Sequence, residues 1–176
     1  MITKDNTYKV LQLFFQEPEK SFHIRQIARL TGLSAPGVSK MVARLRKDGL
    51  LTMVRGKVVQ DIRASRTDRF LHLKRCWNIE RLFETGLVDS LRTAYEKPEA
   101  IVLFGSFSKG EDTSISDIDI AVIAPEERRL RLEPYQRALK RKINMQVVQL
   151  KRAEPAFLNS LANGVVLYGF LKVVKE

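Results

Sequence analysis

Two aspartates, Asp117 and Asp119, stand two residues apart in the run S-D-I-D-I, and ten residues separate Asp117 from the pair Gly105-Ser106. Side chains two apart on a strand leave the same face, so the two carboxylates point together and repel unless a cation sits between them. A magnesium pair suits them, because magnesium takes hard oxygen ligands and shares them with phosphates. Gly105 lets backbone approach closely, and Ser106 opens a predicted short helix whose free N–H groups would face an anion. Phosphate on one side and metal on the other indicate a nucleoside triphosphate site.

The elements that must hold these residues are legible around them. The apolar run Ile101 to Phe104 reads as a strand ending at Gly105 and Ser106; Ile118, Ile120 and Ala121 to Ile123 read as a second strand. A bare D-x-D or G-S pair is common, and the plain alternative is a strand pair with a polar turn. Strand, G-S, fixed polar gap, D-x-D and second strand together favour the site. No lysine of a Walker A motif follows Gly110 and no G-x-G-x-x-G occurs, so P-loop and Rossmann sites are excluded.

Over V-L-F-G-S-F-S-K-G-E-D-T-S-I-S-D-I-D-I-A-V, with Lys109, Gly110 and Glu111 as an inner K-G-E, the chain resembles the DNA polymerase β-like nucleotidyltransferase superfamily, specifically its minimal-nucleotidyltransferase branch. The resemblance extends from about Pro98 to the C-terminus, where Gly164 to Tyr168 form a G-x-x-L-Y ending. It implies an α/β core with a mixed sheet, Gly105, Ser106 and Lys109 as nucleotide-binding residues, and Asp117 and Asp119 as metal-holding catalytic residues. It also implies magnesium as cofactor and ATP, or another nucleoside triphosphate, as substrate. The family pattern asks for a third carboxylate on a following strand. In I-N-M-Q-V-V-Q-L (Ile143 to Leu150) the matching position is read as Gln146, and an amide neither takes a proton nor adds charge to a metal. Activity is then slow, borrows a carboxylate such as Glu133, or is lost with nucleotide binding kept.

The 176 residues carry a formal charge of +11, distributed unevenly. Met1 to Arg75 hold 16 Lys and Arg against 6 Asp and Glu, hence +10, and the remainder hold 15 against 14, hence +1. A half with that imbalance attracts polyanions, nucleic acid first and an acidic membrane surface second. With one cysteine, Cys76, no intrachain disulfide can form, and between Arg75 and Trp77 a buried structural thiol is expected. No apolar stretch approaches the length that crosses a bilayer, and the first residues lack a signal-peptide core, so a cytoplasmic protein without a membrane partner is expected.

In the basic half, Tyr8 to Phe15 have helical periodicity up to Glu17-Pro18; Ile24, Ile27, Ala28 and Leu30 mark a second helix ending at Thr31-Gly32; Ser34 is a good N-cap for a third, Ala35 to Asp48. That third helix is apolar on one face and carries Ser39, Lys40, Arg44 and Lys47 on the other. Leu50 to Val54 and Val58 to Ile62 read as a hairpin turning at Arg55, Gly56 and Lys57. Residues 22–51 resemble winged helix-turn-helix regulators, which implies Ala35, Pro36, Gly37, Ser39, Lys40 and Arg44 in a DNA major groove and Arg55 and Lys57 at phosphates or the minor groove. A protein-interaction module with a solvated basic face is the alternative.

Two domains are therefore expected: a mainly α winged helix-turn-helix at 1–64 and a nucleotidyltransferase-like domain at 98–176. Between them, 65–97 reads as a helical connection that either packs on the transferase sheet or carries a homodimer contact. Arg137, Lys140, Arg141 and Lys142 either meet an anionic substrate or are a solvated face. The expected function is transfer of a nucleoside monophosphate, AMP from Mg-ATP, to a hydroxyl of a protein, nucleic acid or small molecule; the resemblance admits an antitoxin that modifies a toxin. The alternative is a transcriptional regulator whose C-terminal half only binds nucleotide or is catalytically degenerate.

Overall fold

The computed structural model describes residues 5–55 and 60–172, and the chain divides into two compact units, Met1–Lys74 and Arg75–Glu176. The first unit opens with α1 (Asn6–Gln16), whose N-cap carboxylate at Asp5 accepts the Tyr8 N–H at 2.8 Å. α2 (Ile24–Thr31) and α3 (Ala35–Lys47) follow, and the Ser34 hydroxyl caps α3 by accepting the Gly37 N–H at 3.3 Å. Val38, Val42 and Leu45, at i, i+4 and i+7, are the buried stripe of α3, which packs on α1 and α2. β1 (Leu51–Arg55) and β2 (Gln60–Ala64) pair antiparallel, one to two residues later than expected. Phe22 joins this ladder by exchanging two 2.9 Å bonds with Ile62, and its ring meets that of Phe14 edge-on at 5.1 Å.

Two residues depart from expectation. Leu30 is 51 % exposed, because Ile24, Ile27 and Thr31 define the inward face of α2. Thr31 can occupy that face because its hydroxyl donates to the Ile27 carbonyl at 2.7 Å. Cys76 is exposed, not buried. It lies on α4 (Asp68–Glu84), whose buried positions include Phe70, Trp77, Asn78 and Leu82, and a residue directly before Trp77 turns about 100° away from that stripe. α4 runs as one continuous helix to Glu84. Its residues are shared between the units, the division falling after Lys74. Among the described residues no helix is long and apolar enough to cross a membrane.

Gly86, at φ +75°, breaks the helix, and α5 (Leu87–Ala94) follows. The remaining elements are β3 (Ala100–Phe104), α6 (Gly105–Lys109), β4 (Ile118–Ile123), α7 (Glu133–Leu139), β5 (Ile143–Val148), a 3₁₀ turn at Leu150–Arg152, α8 (Pro155–Ala162) and β6 (Val165–Gly169). They build a mixed sheet ordered β5-β4-β3-β6, in which only β4 and β5 are parallel. A parallel pair needs a crossover, and α7 lies in it. Leu87, Val88 and Leu91 of α5, with Leu82 and Leu139, cover one face through Ile101, Leu103, Ile118, Ile120 and Val122. α8 covers part of the other, where Phe157 meets Phe104 edge-on at 5.5 Å. Covered on both faces, β3 is apolar throughout; β5, at the sheet edge, alternates Ile143, Asn144, Met145, Gln146 with the two amides exposed.

Candidate functional site

The pairing of β3 with β4 sets Phe104 opposite Asp119, so the residue that follows β3 is delivered against the Asp119 side chain. Glycine is the residue that fits there without displacing the carboxylate. A Cβ on Gly105 would lie 2.4 Å from Asp119 Oδ2, and the backbone there is at φ +73°. In α6 the Ser108 hydroxyl donates to the Gly105 carbonyl at 2.7 Å, no side chain caps the helix, Ser106 is half-buried and Lys109 is exposed. Gly105, Ser106 and Asp119 are thus brought together, whereas Lys109 stands at the far end of the short helix.

The loop from α6 to the aspartates is anchored by a residue that the sequence reading missed. Asn78, fully buried on α4, donates through Nδ2 to Asp112 Oδ1 at 2.7 Å and to the Phe107 carbonyl at 2.9 Å. One amide therefore fixes both the turn of α6 and the start of the loop. Nothing local marks Asn78, which is 34 residues from Asp112. Downstream, the Thr113 N–H donates to Ser116 Oγ at 2.9 Å, and Asp117 follows directly before β4.

The third position of the site also differs from expectation. In the β4–β5 register Asp119 pairs with Asn144, while Gln146 pairs with Ala121, two residues further along, and is exposed. Asn144 Nδ2 donates to Asp119 Oδ1 at 3.0 Å. Facing a carboxylate, an amide must present its NH₂ group. The Ile118 N–H donates to the Lys142 carbonyl at 2.8 Å, which starts the ladder one residue earlier and brings Lys142 Nζ to 4.0 Å from Asp117 Oδ2. The residue beside the aspartates is thus Asn144, not Gln146. Lys142-Ile143-Asn144 echoes the pattern of Asp117-Ile118-Asp119 with the charges reversed or removed, but only the register separates it from Gln146.

A carboxylate against a glycine turn, with a second two residues before it, suits one hard divalent cation, whose remaining ligands would be water and phosphate oxygens. Among the described residues no group of three or more His, Cys, Asp or Glu could hold a metal ion. Along β5 opens a cavity of about 800 Å³ whose lining includes Arg129, Arg131, Glu133, Lys142, Asn144 and Met145. Arg137 and Lys140 are exposed near the end of α7. The carbonyls of Ala138 and Leu139 there are held by the Arg81 guanidinium, which also lies 5.0 Å over the Trp77 ring. Burial first, and then the Arg141 charge, push the Arg81 pKa below the usual guanidinium value, with Glu84 opposing.

In the N-terminal unit, Pro36, Ser39, Lys40 and Arg44 are exposed on α3, with Ala35 and Gly37 partly so. Arg55 is the last residue of β1, and Gly56 and Lys57 lie outside the described residues.

No curated protein matches the chain. Residues 88–170 match the family model described as "Polymerase beta, Nucleotidyltransferase", a segment that begins within α5 and ends just after β6. The match supports the nucleotidyltransferase superfamily for this segment, with nucleotidyl transfer in general as the activity it suggests, and the α/β architecture with its mixed sheet is compatible with that fold.

Proposed function

We propose that the C-terminal unit transfers a nucleoside monophosphate, AMP from Mg-ATP, to a hydroxyl acceptor, and that the N-terminal unit is a winged helix-turn-helix that binds DNA. The observation that carries the first part is the packing of Asp119 on Gly105, which leaves no room for a Cβ between a metal-binding carboxylate and a phosphate-binding turn. The backbone N–H groups at Gly105 and Ser106 receive the triphosphate, and Asp117 and Asp119 hold magnesium. When bound, magnesium neutralises phosphate charge and polarises the phosphoryl group. The acceptor oxygen forms a bond to the α-phosphorus as the bond to the β-phosphate oxygen breaks, and pyrophosphate leaves. Asn144 cannot accept the hydroxyl proton; Glu133, in the wall of the neighbouring cavity, is the carboxylate assigned that proton.

Asn144 also favours a second reading, in which the unit binds nucleotide as the sensor of a DNA-binding regulator and turns over little. One experiment separates the two. ATP with magnesium is titrated calorimetrically into the full chain and into Asp117→Asn/Asp119→Asn, and label from the α-phosphate is followed onto candidate acceptors. Binding that the double variant loses, with label transferred, supports the enzyme; the same binding without transfer supports the sensor. No binding by the wild type would refute both. The basic face of α3, with Lys40 and Arg44 exposed, supports the DNA-binding half.

A further inference from the structure

The strand that completes the site carries Asn144, and Lys142 directly precedes that strand, where a site for two metals needs acid. Two divalent cations side by side require carboxylates that bridge or surround both, since each cation keeps several hard oxygen ligands. Here Asp117 and Asp119 provide the acidic groups, and each is already met, Asp119 from β5 and Asp117 from the residue just before that strand. Asn144 donates to Asp119 Oδ1 at 3.0 Å, which occupies one of that oxygen's two lone pairs and places a neutral amide where a second cation would need an anionic ligand. Lys142 Nζ lies 4.0 Å from Asp117 Oδ2, and the placement is not left to a flexible side chain alone, because the 2.8 Å bond from the Ile118 N–H to the Lys142 carbonyl fixes the lysine's backbone opposite Asp117. Among the described residues no further His, Cys, Asp or Glu joins the pair to complete a metal-binding group.

Charge leads to the same count. Two carboxylates and one ammonium leave a local charge of about −1, which one divalent cation over-balances by +1, a match for an incoming polyphosphate; a second cation would sit against an ammonium. Lys142 is exposed, so its pairing with Asp117 is weak enough to be surrendered to a ligand. Resting on the nucleotide-site reading above, we propose that this site takes a single divalent cation, held by Asp117 and Asp119, and that Lys142 supplies to the nucleotide phosphates the positive charge that a second cation would otherwise bring. Asn144 holds Asp119 in place and keeps the second position closed.

The test is a count of manganese ions by electron paramagnetic resonance on the full chain, with and without an ATP analogue carrying a methylene bridge between the α- and β-phosphates. One ion per chain is expected, lost in Asp117→Asn/Asp119→Asn. Asn144→Asp, nearly isosteric at an exposed edge position, should raise the count to two with the analogue present. Lys142→Ala should tighten manganese without nucleotide about two- to fivefold, since it removes a surface ion pair, yet weaken the analogue about tenfold or more, since it removes a charged partner of phosphate. Two ions in the wild type, or a Lys142→Ala protein unchanged in both affinities, would overturn the proposal while leaving the nucleotide site standing. An Asn144→Asp protein that still counts one ion would overturn the role given to Asn144. Neither ion nor analogue bound by the wild type would remove the nucleotide site itself, and this inference with it.

Discussion

Replacing Gly105 by alanine tests the contact on which the site rests, and its cost can be worked from the geometry. The new Cβ would stand 2.4 Å from Asp119 Oδ2, where ordinary contact begins near 3.4 Å, so the carboxylate must retreat by about 1 Å. That retreat breaks the 3.0 Å bond from Asn144, a charge-assisted but partly exposed interaction of about 1 kcal/mol. Holding alanine at φ +73° adds about 1–2 kcal/mol, for a total of about 2–3 kcal/mol. Gly86→Ala is the matched control. Its φ is +75°, but nothing lies within 4 Å of its Cβ, so it bears only the backbone strain. Urea unfolding followed by fluorescence of Trp77, the single tryptophan, should therefore place Gly105→Ala about 1 kcal/mol below Gly86→Ala. Titration of Mg-ATP should show Gly86→Ala like the wild type and Gly105→Ala weakened by about tenfold to a hundredfold, since a shift of about 1 Å in a positioning group has that effect. If the two variants match each other in stability and in nucleotide binding, Asp119 is not held against the turn as described, and the reasoning fails.

Asn78→Ala should destabilise the full chain by about 2–5 kcal/mol, because the buried Asp112 carboxylate and Phe107 carbonyl each lose a donor; in calorimetry this reads as a fall of roughly 4–20 °C in Tm. A variant that melts with the wild type would show that α6 and its loop are anchored by something else. For the N-terminal unit, Lys40→Ala and Arg44→Ala should each weaken binding to duplex DNA by about tenfold and flatten the log affinity against log salt slope by about one for each phosphate contact removed. Lys20→Ala, which removes the surface partner of Glu17, serves as control. Equal losses in all three proteins, or no salt-dependent binding, would count against a DNA-reading α3.

Local signals were enough for much of this protein. The limits of α1, α2 and α3 follow from Pro18, Gly32 and Ser34, and the break at Gly86 follows from glycine alone, because each acts on the backbone within a few residues. The G-S turn and the D-x-D strand could be read for the same reason: spacing on one strand decides which side chains share a face. What the sequence left open depends on pairing between distant segments. A parallel register is set by how two whole strands and their crossover pack, so Gln146 could be taken for the third position until the ladder put Asn144 beside Asp119 and Lys142 beside Asp117. Likewise, the apolar residues around Cys76 said nothing of which side of α4 would be covered, and Asn78 has no meaning until Asp112 is folded against it. The chemistry's residue types were legible in the chain; which neutral and cationic groups complete their site was decided only in the fold, where hydrogen-bonding partners are chosen by proximity in space.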